Sequence, residues 1–403
     1  MSFQQGLSGL NAASKNLDVI GNNIANTNTV GAKTSRAEFA DLYAASLYGT
    51  SSTTVGIGTQ VAAVTQQFTQ GDLSATSNPL DVAINGSGFF RMSQGGTVEY
   101  SRNGQFKLDK EGYIVNAQGA RLTGYVAGAD GRPTAGAASD LRLTMSDVPP
   151  KPTDRGVIGM NLDARAPVAT APFDVDNANS YSGSTTLSVF DSLGREHSLS
   201  LYMRKTTANA WEMHGTVDGT PMSPTAVGSL GFDSAGRLTS GSPLTLGVPV
   251  GADAGGSQNI TIDLNGTTQF GSAFGVTELT QNGAGAGRLA GFSIGQDGMI
   301  QARYSNGQFR PQGQIVLANF VNPNGLSPLG GNAWSETADS GQPLVGAPAS
   351  GNLGVLQSGA VENSNVDLTA ELVSMITAQR VYQANAQTVR TQDQILQTLV
   401  NLR

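Results

Sequence analysis

DLTAELVSMITAQRVYQANAQTVRTQDQILQTLVNLR, residues 367–403, decides how the chain is read. In steps of four and three it runs Leu368, Leu372, Met375, Gln379, Tyr382, Ala386, Val389, Asp393, Leu396 and Val400, and eight of these ten are apolar. Sustained 4-3 spacing predicts a hydrophobic seam along one long helix, of the kind that pairs with another helix. Asp367 is placed to cap its start, and Glu371 lies in the first turn, where the helix dipole favours an anion. No Gly or Pro interrupts the stretch, and a helix of this length reaches about 54 Å.

The same spacing occurs at the other end of the chain. Phe3, Leu7, Leu10, Ser14, Leu17, Gly21 and Ile24 follow 4-3 steps, and Ala12, Ala13 and Ile20 widen the stripe. Burying eight seam side chains of the C-terminal helix gives roughly 12 to 24 kcal/mol gross. Ordering its backbone costs roughly 1 to 2 kcal/mol per residue, and a lone helix in water is marginal. The face opposite the seam is neutral: residues 367–403 carry six charged side chains among many Gln and Thr. Such a surface is easier to desolvate than a charged one. The expectation is that the terminal helices pack on each other and on further copies of the chain. Gln379 and Asp393, polar positions in the seam, are expected to set register.

Composition narrows the function classes. The chain has 403 residues, 13% of them charged, with 52 Gly, no Cys and a net charge of −7. Low charge and abundant Gly predict many tight turns, short strands and sizeable uncharged surfaces. No basic run exists, so nucleic acid is not an expected partner. The absence of Cys excludes disulfides and thiolate metal sites. The N-terminus, MSFQQGLSGLNAAS, lacks the basic and apolar regions of a cleaved signal peptide, and no apolar run approaches the length of a membrane span.

Between the two helices the period changes. Residues 22–39 are dense in Asn and Thr and read as a compact connector. A short helical piece is expected over Arg36–Tyr48, from the spacing of Phe39, Leu42, Tyr43 and Leu47, followed by a mobile loop over 49–58. From Thr59 to Tyr125 the pattern is period two, with turn signals at Asn85-Gly86, Asn103-Gly104 and Asp109 to Gly112. This predicts an antiparallel meander or small barrel. Residues 126–156, rich in Gly, Pro and Ala, read as a linker into an inserted domain. Inside the insert, FDSLGR at 190–195 recurs as FDSAGR at 232–237, which raises a duplicated hairpin. YSNGQF at 304–309 echoes YSRNGQF at 100–106, a hint that the strands flanking the insert share one domain.

The fold class expected is therefore α+β multidomain: paired long terminal helices, coiled-coil-like, with two mainly antiparallel β domains, one inserted in the other. The divisions are 1–25 with 365–403 for the helices, 26–58 for the connector, 59–145 with 288–364 for the first β domain, and 146–287 for the insert. Catalytic patterns are lacking. The histidines, His197 and His214, each lie in a predicted strand near Glu196 and Glu212, but adjacent strand residues face opposite ways, so Glu196 and His197 diverge. Gly285, Gly287 and Ala290 mimic a phosphate loop with no helix pattern after them, and Asp174 and Asp176 lack the rest of a calcium loop. No catalytic residue, cofactor, metal or small-molecule substrate is expected.

At NLDVIGNNIANT, residues 16–27, the chain resembles the N-terminal motif of the flagellar rod and hook proteins of bacteria. ELVSMITAQRVYQANA at 371–386 with TQDQILQTLVNLR at 391–403 resembles the family's C-terminal motif, and SRNGQF at 101–106 a motif of its first β domain. Asn22, Asn23, Asn26 and Gly31 are the connector-motif positions; Ala32 stands where the family commonly carries an aromatic. In length and in holding an insert the chain resembles the hook members rather than the shorter rod members. The resemblance implies a structural subunit of a tubular helical polymer, the hook, a flexible universal joint carrying motor torque from rod to filament. It implies export through the flagellar type III apparatus without a cleaved signal, and an extracellular place in the flagellum. The implied partners are further copies of the chain, the distal rod protein, the hook cap protein and the hook-filament junction protein. A distal rod subunit, or from another class a secreted β-rich adhesin, are the competing readings.

Overall fold

The computed structural model describes residues 2–42, 56–128, 131–134 and 136–401. Two long helices stand at the ends of the chain, α1 (Ser2–Ala25) and α2 (Leu368–Asn401), with many short strands between them. The α+β architecture matches that expected. The chain forms two compact units, one of Met1–Met145, Gly291–Ala302 and Phe309–Arg403, the other of Ser146–Ala290 and Arg303–Gln308.

In the first unit, β1 (Ser35–Leu42) pairs antiparallel with β2 (Gly58–Gln66). The short helix expected from Arg36 is therefore corrected to a strand as far as Leu42. The cause lies on α1: the Asn23 side chain donates to the Ser35 carbonyl at 2.8 Å and accepts from the Ser35 N–H at 2.9 Å. That amide acts as a strand neighbour, and the β2 ladder continues it, which outweighs a single turn's worth of helical spacing. Tyr43 to Tyr48 and most of the loop expected over 49–58 lie outside the described residues.

Strand Phe89–Gln94 sits between Thr97–Ser101 and Arg121–Val126 in one sheet. Strands from beyond the insert complete it: Gly313 pairs with Val126, and Leu317 with Phe90. Val355–Ser358 pairs with Val82–Asn85, and Ala360–Glu362 with Leu73–Ala75. The core is built from Val82, Ile84, Phe90, Met92, Leu122, Ile315 and Leu356, with an aromatic cluster of Phe89, Tyr100, Phe320 and Trp334 beside it. Part of the stretch read as linker belongs here too. Ser139–Asp140 pairs with Thr123 and Gly124, and Leu141 and Leu143 are buried. Two leucines in a polar stretch suffice to fold it onto an existing apolar face.

The second unit has two sheets around one core. One runs Leu244–Pro249, Ser257–Asp263, Arg155–Asn161, Gly275–Gln281; the other begins Gly183–Phe190, Glu196–Thr207, Ala210–Val217. Leu199, Leu201 and Met203 alternate inward, as period two requires, against Ile158, Met160, Ile260 and Ile262. The two echoed stretches form turns of one kind, each between antiparallel strands of the same sheet. In both, the Asp side chain accepts from the N–H groups two and four residues on, at Leu193 and Arg195 and at Ala235 and Arg237. Asp109 and Asn116 of the first unit hold the same turn. Local side-chain capping with Gly at the left-handed position explains all four. The YSNGQF echo is likewise local. Tyr304 to Gln308 lie in the second unit, whereas Tyr100 to Phe106 lie in the first.

Candidate assembly site

The two termini meet as an antiparallel helix pair. Asn23 donates to Glu371 at 3.0 Å, Gly9 abuts Asn385, and Gly6 abuts Val389. Going up α1 thus means going down α2. On α1 the buried or half-buried positions of this face are Gly6, Gly9, Ala13, Asn16, Ile20 and Asn23; on α2 they include Glu371, Met375, Ala378, Asn385, Val389 and Gln392. Both sets keep 3-4 spacing, but most of their members are small or polar. A methyl at Gly9 would lie 2.7 to 2.9 Å from the Asn385 amide. Small residues therefore let the two backbones approach closely, as they do wherever helices pack without large side chains.

This covered face differs from the one the 4-3 walk picked out. Of the α1 residues singled out, Ile20 is buried, Leu10, Leu17 and Ile24 are half-buried, and Phe3 and Leu7 are 44% and 45% exposed. On α2, Met375, Ala386 and Val389 are half-buried. Leu368, Leu372, Gln379, Tyr382, Asp393, Leu396 and Val400 are exposed, Val400 to 73%. Val373, Ile376, Val381 and Ile395 are exposed beside them. So α2 carries two seams. One is mostly small and polar, with Met375 and Val389 in it, and is covered by α1; the other is large and apolar and is uncovered among the described residues. Asp367 caps α2 as expected, accepting from the Thr369 and Ala370 N–H groups.

The connector fastens the pair to the first unit. Asn26 donates to the Asn22 carbonyl at 2.9 Å, closing the end of α1. Gly31 has φ +72°, and a methyl there would sit 2.6 Å from the Asn103 nitrogen. Its own N–H donates to the Glu362 carbonyl at 2.8 Å. The Glu362 carboxylate takes Lys33 Nζ at 2.6 Å, Arg102 at 3.2 Å and the Gly71 N–H at 2.9 Å. All three charged side chains are buried. Burial presses the Lys33 ammonium below its usual range, against the pull of Glu362. Three separate segments of chain converge on this carboxylate. The spacing rules missed it; the signal present was a few isolated charges, Lys33, Arg102 and Glu362, in otherwise neutral stretches. Ala32 is buried beside a cavity of about 220 Å³ lined also by Asn22, Asn26, Pro328 and Trp334.

Both histidines lie in the second unit. His197 lies 2.7 Å from Asp218, which raises its pKa, and 3.5 Å from Asp191. His214 stacks on Phe173 at 4.1 Å, with burial lowering its pKa. No group of His, Asp or Glu among the described residues is arranged to hold a metal ion.

Comparison with known proteins bears directly on this arrangement. Residues 3–33 match a family of flagella basal body rod proteins, and 357–402 the C-terminal region of the flagellar basal body rod FlgEFG proteins. Residues 83–146 match the D1 domain of flagellar hook proteins FlgE/F/G, and 161–284 the FlaE D2 domain of flagellar basal body proteins. The flagellar hook protein FlgE of Escherichia coli is 44% identical over 412 residues, covering both chains in full. That of Salmonella typhimurium is 45% identical over the same span, and that of Borreliella burgdorferi 34% over 442 residues, covering 99% of its length. A flagellar hook protein FlgE2 from Helicobacter pylori shares the fold, with a TM-score of 0.55 at 15% identity over 72% of this chain and 99% of its own. Identity at this level along the whole length, with hook-domain matches on both β units, means that the chain belongs to the flagellar hook protein family.

Proposed function

We propose that the chain is the structural subunit of the bacterial flagellar hook, a tubular helical polymer that works as a universal joint between rod and filament. The observation that carries this is the second, uncovered seam of α2. Leu372, Leu396 and Val400 are 45%, 54% and 73% exposed in a helix that otherwise has a partner. Full burial of a side chain of this kind is worth roughly 1.5 to 3 kcal/mol, and the exposed part of each is left for a neighbouring copy to cover. Identical subunits joined by contacts that do not close build a helix. In this reading the terminal helices form an inner tube that bears compression and torsion, and the β domains form outer layers. The low surface charge suits outer contacts that slide as the tube bends, because sliding breaks few ion pairs. Subunits reach the growing end unfolded, by the flagellar type III route, and add under a cap protein. The distal rod protein and the hook-filament junction protein are the partners at the two ends.

The test is assembly of the chain lacking residues 368–403, followed by sedimentation and electron microscopy. Loss of polymer supports the reading; assembly equal to the intact chain contradicts it. A rod subunit is the second reading, favoured by the rod-family matches at residues 3–33 and 357–402. Cells lacking the gene separate the two: rods without hooks support the hook subunit.

A further inference from the structure

α2 outruns α1. Gly6 abuts Val389, and α1 begins only four residues earlier, so α2 from about Asp393 onward has no α1 alongside. That overhang presents Ile395, Leu396 and Val400, exposed to 48%, 54% and 73%. Nearer the other end of α2 lies an open groove of about 530 Å³, between the helices and the β1–β2 ribbon. Ala12, Ala13, Phe39, Val373, Ala378 and Val381 line it, and none of its lining residues is charged. The groove is continuous with the α1–α2 contact, since Gly9 and Asn385 belong to both.

From this geometry we infer that the overhang of one copy seats in the groove of the next. The inference rests on the assembly reading above and names the surfaces that meet. The two features are complementary: one is a row of aliphatic side chains without a partner among the described residues, the other an uncharged cleft floored by small residues that lets a helix come close. They cannot satisfy each other within one chain. Thr377, in the groove, and Leu396, on the overhang, are 19 positions apart on one helix, or about 28 Å. The contact is heterologous and leaves a free overhang at one end and a free groove at the other, so it propagates without closing.

The chain has no cysteine, so a pair of introduced thiols reports the contact alone. Thr377→Cys with Leu396→Cys is placed in the full-length chain, assembled and oxidised. A disulfide needs Cα atoms about 4.4 to 6.8 Å apart, so no bridge forms within one helix. The expected result is a covalent ladder of dimers, trimers and higher species. Mixing the two single variants gives dimers, and neither alone gives any. Val381→Cys with Val400→Cys, again 19 positions apart, reads the same contact if the first pair impairs assembly. Polymer of either variant pair without covalent linkage overturns the groove assignment and leaves the assembly reading intact. A folded native chain that forms no polymer overturns the assembly reading, and the groove with it.

Discussion

Glu362 ties together positions far apart in the chain. Its carboxylate neutralises Lys33 and caps the Gly71 N–H, while Arg102 approaches from the β-domain motif. Removing one member of a buried charge cluster costs about 3 to 5 kcal/mol, because the others stay buried and unpaired. Glu362→Gln is expected to destabilise the first unit by that order in urea unfolding, and Lys33→Met added to it to recover part of the loss. Gly31→Ala is expected to cost at least about 2 kcal/mol in the same measurement, from left-handed strain plus the clash with the Asn103 nitrogen. The two histidines of the second unit respond to acid in opposite senses. His214, stacked on Phe173, has a folded pKa below its ordinary value of about 6.5, so stability is lost as pH falls from there through the folded value. His197 works in the opposite sense: held up by Asp218, its contribution is full below about 6.5 and lost as pH rises through its folded value. Burial alone would raise Asp191, but hydrogen bonds from Arg195, Leu193 and His197 bring it down to about 2. Its contribution is full above about 3.9 and lost only toward the lower value. His214→Phe is therefore expected to gain in melting temperature over the native chain as pH falls from about 8 to about 5; a constant difference across that range would refute the assignment.

At the scale of the element, α2 shows what spacing reveals and what it hides. The 4-3 walk from Leu368 to Val400 found a genuine helix, its cap and its neutral outer face. It selected the large apolar residues, and apart from Met375 and Val389 those belong to the uncovered seam. Besides Ile20, Met375 and Val389, the seam that meets α1 is made of Glu371, Ala378, Asn385 and their partners Gly9, Asn16 and Asn23, whose types carry little or no hydrophobic signal. Close approach, not hydrophobic mass, defines that contact, and a pattern of apolar residues is blind to it. Gln379 and Asp393 point away from α1, so within the chain register is set instead by Asn385 on Gly9 and Asn23 on Glu371. Gly9→Leu is accordingly expected to lower the melting temperature of the first unit, since its side chain displaces Asn385. β1 failed to show itself because its partner strand begins only at Gly58 and its first hydrogen bonds come from the Asn23 side chain. The motif residues Asn22, Asn26 and Gly31 were visible as a pattern, whereas the ion cluster they lead to joins positions 33, 102 and 362 and has no local signature.

At the scale of the whole molecule, both ends of the chain return to one helix pair, and the strands flanking the insert share one sheet. That nesting was readable from the change of period and the turn signals. The packing of the outer units in a polymer is a matter of surfaces, and if they slide on bending, replacing polar residues of the second unit with charged ones alters hook curvature or stiffness. Unchanged curvature in filament-bearing cells would remove that part of the account.

The central claim is that α2 has one seam for its own chain and one for its neighbours, and the double substitution Leu372→Asp with Leu396→Asp tests it most directly. Both side chains are exposed in the single chain, so its thermal unfolding is expected to stay within about 0.5 kcal/mol of native. Sedimentation under assembling conditions is expected to show native polymer and a monomeric variant. Polymer formed by the variant as readily as by the native chain would contradict the claim.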